Sequence, residues 1–588
     1  MTSAYAPGRA DLWARAWIGR HRVADAIGTE IAQNPRSLFR QPATTEDLDL
    51  SSAVQQRLRN LVQALGPSPF AGRRVGIEKE SLRVDRAGYI SQRPHPEALG
   101  SALTHSTITT DFSEALLEFV TPAYRGVRET ARSLRHLHQF TYPLIGDEVL
   151  WATSMPCMVT GDRSIPIAHY GSSNVGTMKH VYRRGLSHRY GRVMQIISGV
   201  HFNFSLPRPF WAAFRETQRY EGGRLEAFAS ERYFALVRNF HRRGWLVPLL
   251  FGSSPAICRS FLGTAAHAFS EFGRGTLYEP FGTSLRMSDI GYKNSSQRQL
   301  GISYDSPADY IRTLHGATEA AHPPYEELGV VAEGEHRQLN ANLLQIENEY
   351  YSFVRPKQIA RSGEKPTMAL QRRGVRYVEI RALDVDPFSP VGIDEGAMRF
   401  MEAFLIHCAL DSSPPLSPRE REESEENQRL VAVRGRDPAL RLRRAGSEVP
   451  IFDWAREIVD AVAEIAEMLD ASTRARRYAE AIHSCRASLD DPRLLPSARV
   501  LEEMRDRSEA FFEFAMRKSE EHRATLLAAP LPPARRAALE AEAATSLRAQ
   551  RDIEATDRLS FPDYLERYFA QRPAPTTPAV REVAPEAA

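Results

Sequence analysis

Lysine is scarce in this chain, with only Lys79, Lys179, Lys293, Lys357, Lys365 and Lys518 among 76 basic residues. None follows a glycine and precedes a serine or threonine, so the GxxxxGK[ST] phosphate loop is excluded. HExxH and GxSxG are absent as well, which removes the common zinc-protease and nucleophile-elbow chemistries. The four cysteines, Cys157, Cys258, Cys408 and Cys485, lie far apart without a CxxC pair. That argues against a zinc ribbon or a disulfide framework and fits a reducing cytoplasm. Cys258, in the apolar setting SPAICRSF, reads as core rather than nucleophile. No apolar run approaches the ~20 residues of a membrane helix, and the best, WLVPLLFG, is broken by Pro248. A signal-peptide core is missing from the N-terminus, and Asp11, Asp25 and Glu30 weigh against an organelle address. An excess of one charge is also missing: 76 basic against 73 acidic residues leave +3. Bulk electrostatics therefore points to small-molecule partners, not to nucleic acid or a membrane surface.

What is present is enough apolar material, 42% of 588 residues, for a large core in one large or two fused domains. Residues 1–50 read as an extension, with an amphipathic segment around Trp13 and Trp17 and then the polar linker QPATTEDLDLSS. Residues 51–410 mix short alternating runs, turns and helices, and this part should carry the chemistry. After the break at SPPLSPRERE, residues 411–571 read as helical, since FDWAREIVDAVAEIAEMLD and SARVLEEMRDRSEAFFEFAMRK space apolar residues by three and four. The Pro- and Ala-rich residues 572–588 read as a disordered tail.

Several alternating runs turn a polar face inward. In GIEKESLRV, Glu78 and Glu80 share a face, roughly 7 Å apart along the strand. LLEFVTP embeds Glu118 among apolar neighbours, and GVHFNFSLP sets His201, Asn203 and Ser205 opposite Phe202 and Phe204. RYVEIRALD sets Glu379 and Arg381 opposite Val378 and Ile380, while Asp111 lies close by in ITTDFSEALLEF. Any one run could be a solvated face. Placed in one sheet, they gather carboxylates whose mutual repulsion needs a cation to offset it. Oxygen-rich ligands select Mg²⁺ or Mn²⁺, and one imidazole is compatible with the latter. Arg381 and the Arg286 of TSLRMSD then suggest an anionic group such as a phosphate beside the metal.

These runs, together with YGSSNVGTMKHVYRRGLSHRYG, LFGSSPAIC, LQIENEYY, RPKQIARSGE and YVEIRALDVDPFSPVGIDE, closely resemble in order the proteobacterial type of glutamate–cysteine ligase. The resemblance spans about 70 to 570. It implies an α+β, glutamine-synthetase-like fold, in which a curved antiparallel sheet forms the active-site face, helices surround it and the C-terminal part is helical. It also implies ATP-dependent ligation of the L-glutamate γ-carboxyl to the L-cysteine amine through γ-glutamyl phosphate, with glutathione as feedback inhibitor. Carried across, Glu78, Glu80, Glu118 and Glu379 resemble metal ligands, with Asp111 and His201 in the same site. Arg286 and Arg381 resemble phosphate or carboxylate partners. Phe112, Tyr182, Leu186, Gln195, Tyr292 and Tyr351, with Arg183 adjacent, resemble a cysteine pocket, whose aromatic walls suit a small thiol. A ligase with another amine acceptor, a catalytically silent binding protein of the same fold and a metal-dependent phosphohydrolase remain the alternatives.

Overall fold

The structure is a computed structural model describing residues 47–273, 275–291, 300–471 and 475–574. The expectations for the N-terminal extension before residue 47, for Tyr292 and for the tail beyond 574 lie outside the described residues. From Val54 onward the described chain forms one compact unit; the other unit, Met1–Ala53, is described only from residue 47.

Seven strands make the principal sheet: β1 (Arg74–Val84), β2 (Ile108–Thr110), β3 (Leu116–Val120), β4 (Val149–Leu150), β5 (Gly199–Ser205), β6 (Val354–Lys357) and β7 (Tyr377–Asp384). Their order is β6-β7-β5-β1-β3-β2, with β4 pairing the end of β1, and every pairing is antiparallel. The four runs singled out from alternation are thus the four adjacent central strands. Strand alternation gives this sheet two unlike faces. Val75, Ile77, Phe202, Phe204, Val378 and Ile380, all buried, point into the main apolar core. Their polar neighbours in sequence point the other way.

Five helices frame the sheet and its polar side: α1 (Asn174–Tyr190), α2 (Leu225–Arg243), α3 (Glu395–Leu410), α4 (Ile451–Ala471) and α5 (Phe561–Phe569). Buried residues of α2, α3 and α4 join the core with the apolar face of the sheet, including Phe240, Phe404 and Val459. Helix α3 is buried along nearly its whole length and begins at Asp394, whose carboxylate accepts the Ala397 N–H at 2.6 Å. Helix α1 lies over the polar side, starting at Ser173, whose hydroxyl caps Gly176 N, and ending at Gly191. Residues 451–471, 496–507 and 511–528 are helical, as the three- and four-residue spacing indicated, and 477–490 is helical too, but the helical reading of 411–571 is interrupted by an antiparallel hairpin of Arg441–Arg444 with Ser447–Pro450. The helix Pro533–Thr556 buries only Leu539, Ala543 and Ser546, in keeping with its Arg-, Ala- and Glu-rich composition.

The cysteine reading requires a correction. Cys157 and Cys258 form a disulfide, while Cys408 and Cys485 are free and buried. Cys258 does lie in an apolar cluster, but as half of a bridge. The partners are 101 residues apart and meet only because the segment after β4 packs on the short strand Ala256–Cys258, a tertiary fact that local spacing does not encode.

Candidate active site

A cleft of about 440 Å³ opens on the polar face of the sheet. Strand register sets its floor. Glu78 on β1 is the direct neighbour of His201 on β5, and Glu80 is the direct neighbour of Glu118 on β3. On the far side Glu379 on β7 lies between Asn203 on β5 and Arg355 on β6. The His201 ring is shared: Nδ1 is 3.4 Å from Glu78 Oε2 and 3.8 Å from Glu379 Oε1, and Nε2 is 3.8 Å from Glu80 Oε1. Asn203 Nδ2 donates to Glu78 Oε1 at 2.8 Å, and the Gly199 N–H donates to Glu80 Oε2 at 2.6 Å.

The carboxylates, alike in sequence, divide by environment. Burial holds Glu118 well above the usual carboxylate range, and the neighbouring charges of Glu78, Asp111 and Glu80 push it the same way. Burial also raises Glu80, partly offset by His201. For Glu379 burial acts upward too, yet Lys357, Arg381 and His201 outweigh it and keep the group below the ordinary range. Lys357 Nζ and Arg381 Nη1 each lie 3.5 Å from a Glu379 oxygen. The floor therefore has an under-compensated acidic side at β1–β3 and a basic side at β6–β7.

Glu78, Glu118 and His201 each offer a ligand atom, all within 4.8 Å of one another. His201 Nε2 is buried without a hydrogen-bond partner, and the nearby carboxylates repel one another, so the donor set fits a hard divalent cation with one nitrogen ligand.

The walls come from other elements. Helix α1 presents Lys179, Tyr182, Arg183 and Leu186 to the cleft, positions three and four apart on one helical face. Arg183 Nε donates to the Asp111 carbonyl, and its Nη2 is 3.8 Å from Asp111 Oδ1. Phe112, Gln195 and Tyr351 complete this side, with Gln195 Nε2 donating to Tyr351 Oη at 2.9 Å. Tyr564 and Tyr568 of α5 close another edge.

Thirteen of the fifteen residues expected from the sequence line this one cleft: Glu78, Glu80, Asp111, Phe112, Glu118, Tyr182, Arg183, Leu186, Gln195, His201, Tyr351, Glu379 and Arg381. Tyr292 lies outside the described residues. Arg286 is not among the lining residues. It is 1% exposed and sits against Gly199 at the buried end of the polar face, where Nη2 donates to the Arg381 carbonyl at 3.0 Å and Nη1 is 3.8 Å from Asp384 Oδ1. The register of β7 on β5 slips between Ile380 and Leu383, so Arg381 sits at an irregularity where a side chain meets its carbonyl. Asp384 is itself anchored by Ser253 N, Ser254 Oγ and Ser284 Oγ at 2.9, 2.6 and 2.8 Å.

Arg355, Lys357 and Lys179 also line the cleft and were not read from the sequence. Alternation in VRPK puts Arg355 and Lys357 on one face, a signal of the same kind that revealed Glu379 and Arg381.

The sequence profile described as glutamate-cysteine ligase matches residues 58–431. A glutamate–cysteine ligase of Alcanivorax borkumensis is 48% identical over 523 residues, covering 88% of this chain and 99% of that one. Among solved structures, the glutamate–cysteine ligase of Francisella tularensis in complex with AMP superposes with a TM-score of 0.79 at 36% identity, over 84% of this chain and 97% of that chain. A bifunctional glutathione synthetase from Pasteurella multocida shares the fold, with a TM-score of 0.63 at 22% identity over 81% of this chain and 55% of its own.

Proposed function

The chain belongs to the glutamate–cysteine ligase family, and from that premise we propose that it joins the γ-carboxyl of L-glutamate to the amine of L-cysteine, converting ATP to ADP and phosphate. The observation that carries this reading is the division of the cleft floor into an acidic side and a basic side. A ligase that activates a carboxylate with ATP must hold a polyphosphate, a carboxylate and an amine together while charge moves among them. A γ-carboxylate oxygen attacks the γ-phosphorus of ATP and ADP leaves. The amine then attacks the acyl carbon of γ-glutamyl phosphate, phosphate departs with the former carboxylate oxygen, and the nitrogen loses a proton.

Arg381 and Lys357, beside Glu379, suit the phosphoryl group in transfer, and Arg355 on the next strand adds a third positive charge. Arg286 acts as a positioning residue for the Arg381 backbone. Glu78, Glu118 and His201, with Glu80, Glu379 and Asp111 around them, would hold Mg²⁺ or Mn²⁺. Such a cation supplies charge neutralisation for the triphosphate. Phe112, Tyr182, Leu186, Gln195 and Tyr351 form the wall for the thiol acceptor, where Gln195 and Tyr351 fix one another. Glutathione carries both the γ-glutamyl and cysteinyl groups of the product, which supports it as an inhibitor at the same cleft. No helix among the described residues is long and apolar enough to cross a membrane; we place the reaction in the cytoplasm, with its ATP supply.

The test is ADP release by the purified protein with Mg²⁺ and ATP, given glutamate, cysteine, both, or glutamate with other amino acids, with the product identified by mass. Release that requires both substrates and yields γ-glutamylcysteine is expected. Preference for another amine would move the acceptor, and release with ATP alone at the same rate would overturn the reading.

A further inference from the structure

A second cavity, of about 450 Å³, lies on a different flank of α1 from the cleft. His180, Arg184, Ser187 and His188 line it from the helix, Pro166 and His169 face them, and no residue lines both cavities. Its charges do not balance. Glu114 is the one acidic lining residue, and backbone N–H groups take both of its oxygens: His95 donates to Oε2 at 2.8 Å and His169 to Oε1 at 2.6 Å. Arg192 donates from Nε to Ser187 Oγ and from Nη1 to the Ile165 carbonyl, both at 2.9 Å. Its guanidinium has no carboxylate at ion-pair distance among the described residues, since Asp162 accepts only the Arg192 backbone N–H, at 3.2 Å. Arg184 does have such a partner, Glu335 Oε2 at 2.9 Å, but that carboxylate is 71% exposed and water screens the pair. His180 and His188 stand four residues to either side of Arg184, where like charges repel. The His180 ring is fixed, because Nδ1 donates to the Ala168 carbonyl at 2.9 Å and the ring stacks on His169 with centroids 4.1 Å apart. Burial lowers His188 below its ordinary value, Arg184, Arg337 and Arg192 add to that, and no carboxylate opposes them.

Two guanidiniums, a hydroxyl and imidazoles thus meet in one concave site without an anion of their own. A carboxylate would be satisfied by a single guanidinium fork, whereas a phosphate group has the oxygens and the charge for two. We infer that this cavity binds the phosphate group of a small phosphomonoester. The phosphate meets Arg184, Arg192 and Ser187, and the organic part lies along the stacked rings of His169 and His180 beside Pro166. A cavity of this volume has room for such a part as well as for the phosphate. The inference is independent of the ligase reading, because the two cavities have no lining residue in common.

The experiment titrates glycerol 3-phosphate and, separately, inorganic phosphate into the full-length protein at low ionic strength, with binding read by calorimetry. The wild type is compared with Arg184→Gln, Arg192→Gln and Arg381→Gln, the last of which removes a cation of the cleft. A saturable site for the ester is expected in the wild type. Loss of charge-assisted hydrogen bonds weakens it about tenfold in Arg184→Gln and in Arg192→Gln, while Arg381→Gln retains it. Arg184 bonds only to the exposed Glu335, so its variant carries the comparison should Arg192→Gln not fold. Inorganic phosphate that binds as tightly as the ester, with the same dependence on Arg184, would support the phosphate site and make the free anion its ligand. Absence of saturation in the wild type overturns the inference. So does binding that is lost in Arg381→Gln and unchanged in Arg184→Gln, which would belong to the cleft.

Discussion

A β-carbon added at Gly199 would fall 2.0 Å from Arg286 Nη2 and 2.5 Å from its Cζ. Glycine is required there for close approach, not for a special backbone angle. Arg286 has little room to retreat, since Asp384 and the Arg381 carbonyl hold its two ends. Gly199→Ala should therefore push the guanidinium aside and disturb Arg381. We expect about 1–3 kcal/mol of destabilisation from overpacking and a fall in kcat of roughly tenfold or more. Thermal unfolding and initial rates measured on the same preparation check both numbers. Full activity in a destabilised variant would show that Arg286 is only structural. Residue types were readable from the sequence where alternation exposed them, as with Glu78, Glu80, His201 and Glu379. That Arg286 is buried at the end of the polar face instead of lining the cleft was not readable, because it depends on which loop packs over the strand ends.

Helix α5 is short and amphipathic, with its N-terminus capped by the Ser560 hydroxyl on Asp563 N. Leu565 and Tyr568 form a separate apolar cluster with Met178 and Val181 of α1, and Tyr564 and Tyr568 reach the cleft. Because this cluster is distinct from the main core, ending the chain after Leu559 should leave the remainder folded. The truncated protein is expected to keep its far-ultraviolet circular dichroism within a few per cent of proportion and to lose at least about tenfold in kcat/KM, as an edge of the cleft opens to water. Retained activity would remove α5 from the site. In sequence, Tyr564 and Tyr568 have ordinary core spacing, and nothing local announces a cleft. The central strands were legible because a buried floor with one polar face imposes strict period-2 alternation. Their register was not, and it is register that sets Glu80 against Glu118 and Glu78 against His201. The Cys157–Cys258 bridge escaped for the same reason.

Across the whole molecule, several histidines are buried as neutral rings. Burial lowers His407 to about 4, helped by Arg243 and opposed by Asp411, and it lowers His241 to about 3, helped by Arg421 and Arg242. The unfolded chain takes up these protons near the ordinary value of 6.5, whereas the fold refuses them until far lower pH. The unfolded state thus binds more protons below pH ~6.5, so stability falls as pH drops through that value and the loss from His407 levels off only below about 4. For His407 the full effect is worth roughly 3 kcal/mol. Urea midpoints at pH 7.5 and 5 should show the decline, and His407→Gln should make it shallower; an unchanged slope would contradict the assignment. The cleft itself is drawn from nearly the full length of the described chain, from Glu78 on the first strand to Tyr568 on the last helix. During synthesis the sheet can therefore form long before the cleft is whole. A ribosome that stalls or a protease that clips before Tyr568 releases a folded but incomplete protein, so a cell gains an enzyme only from chains that have been finished.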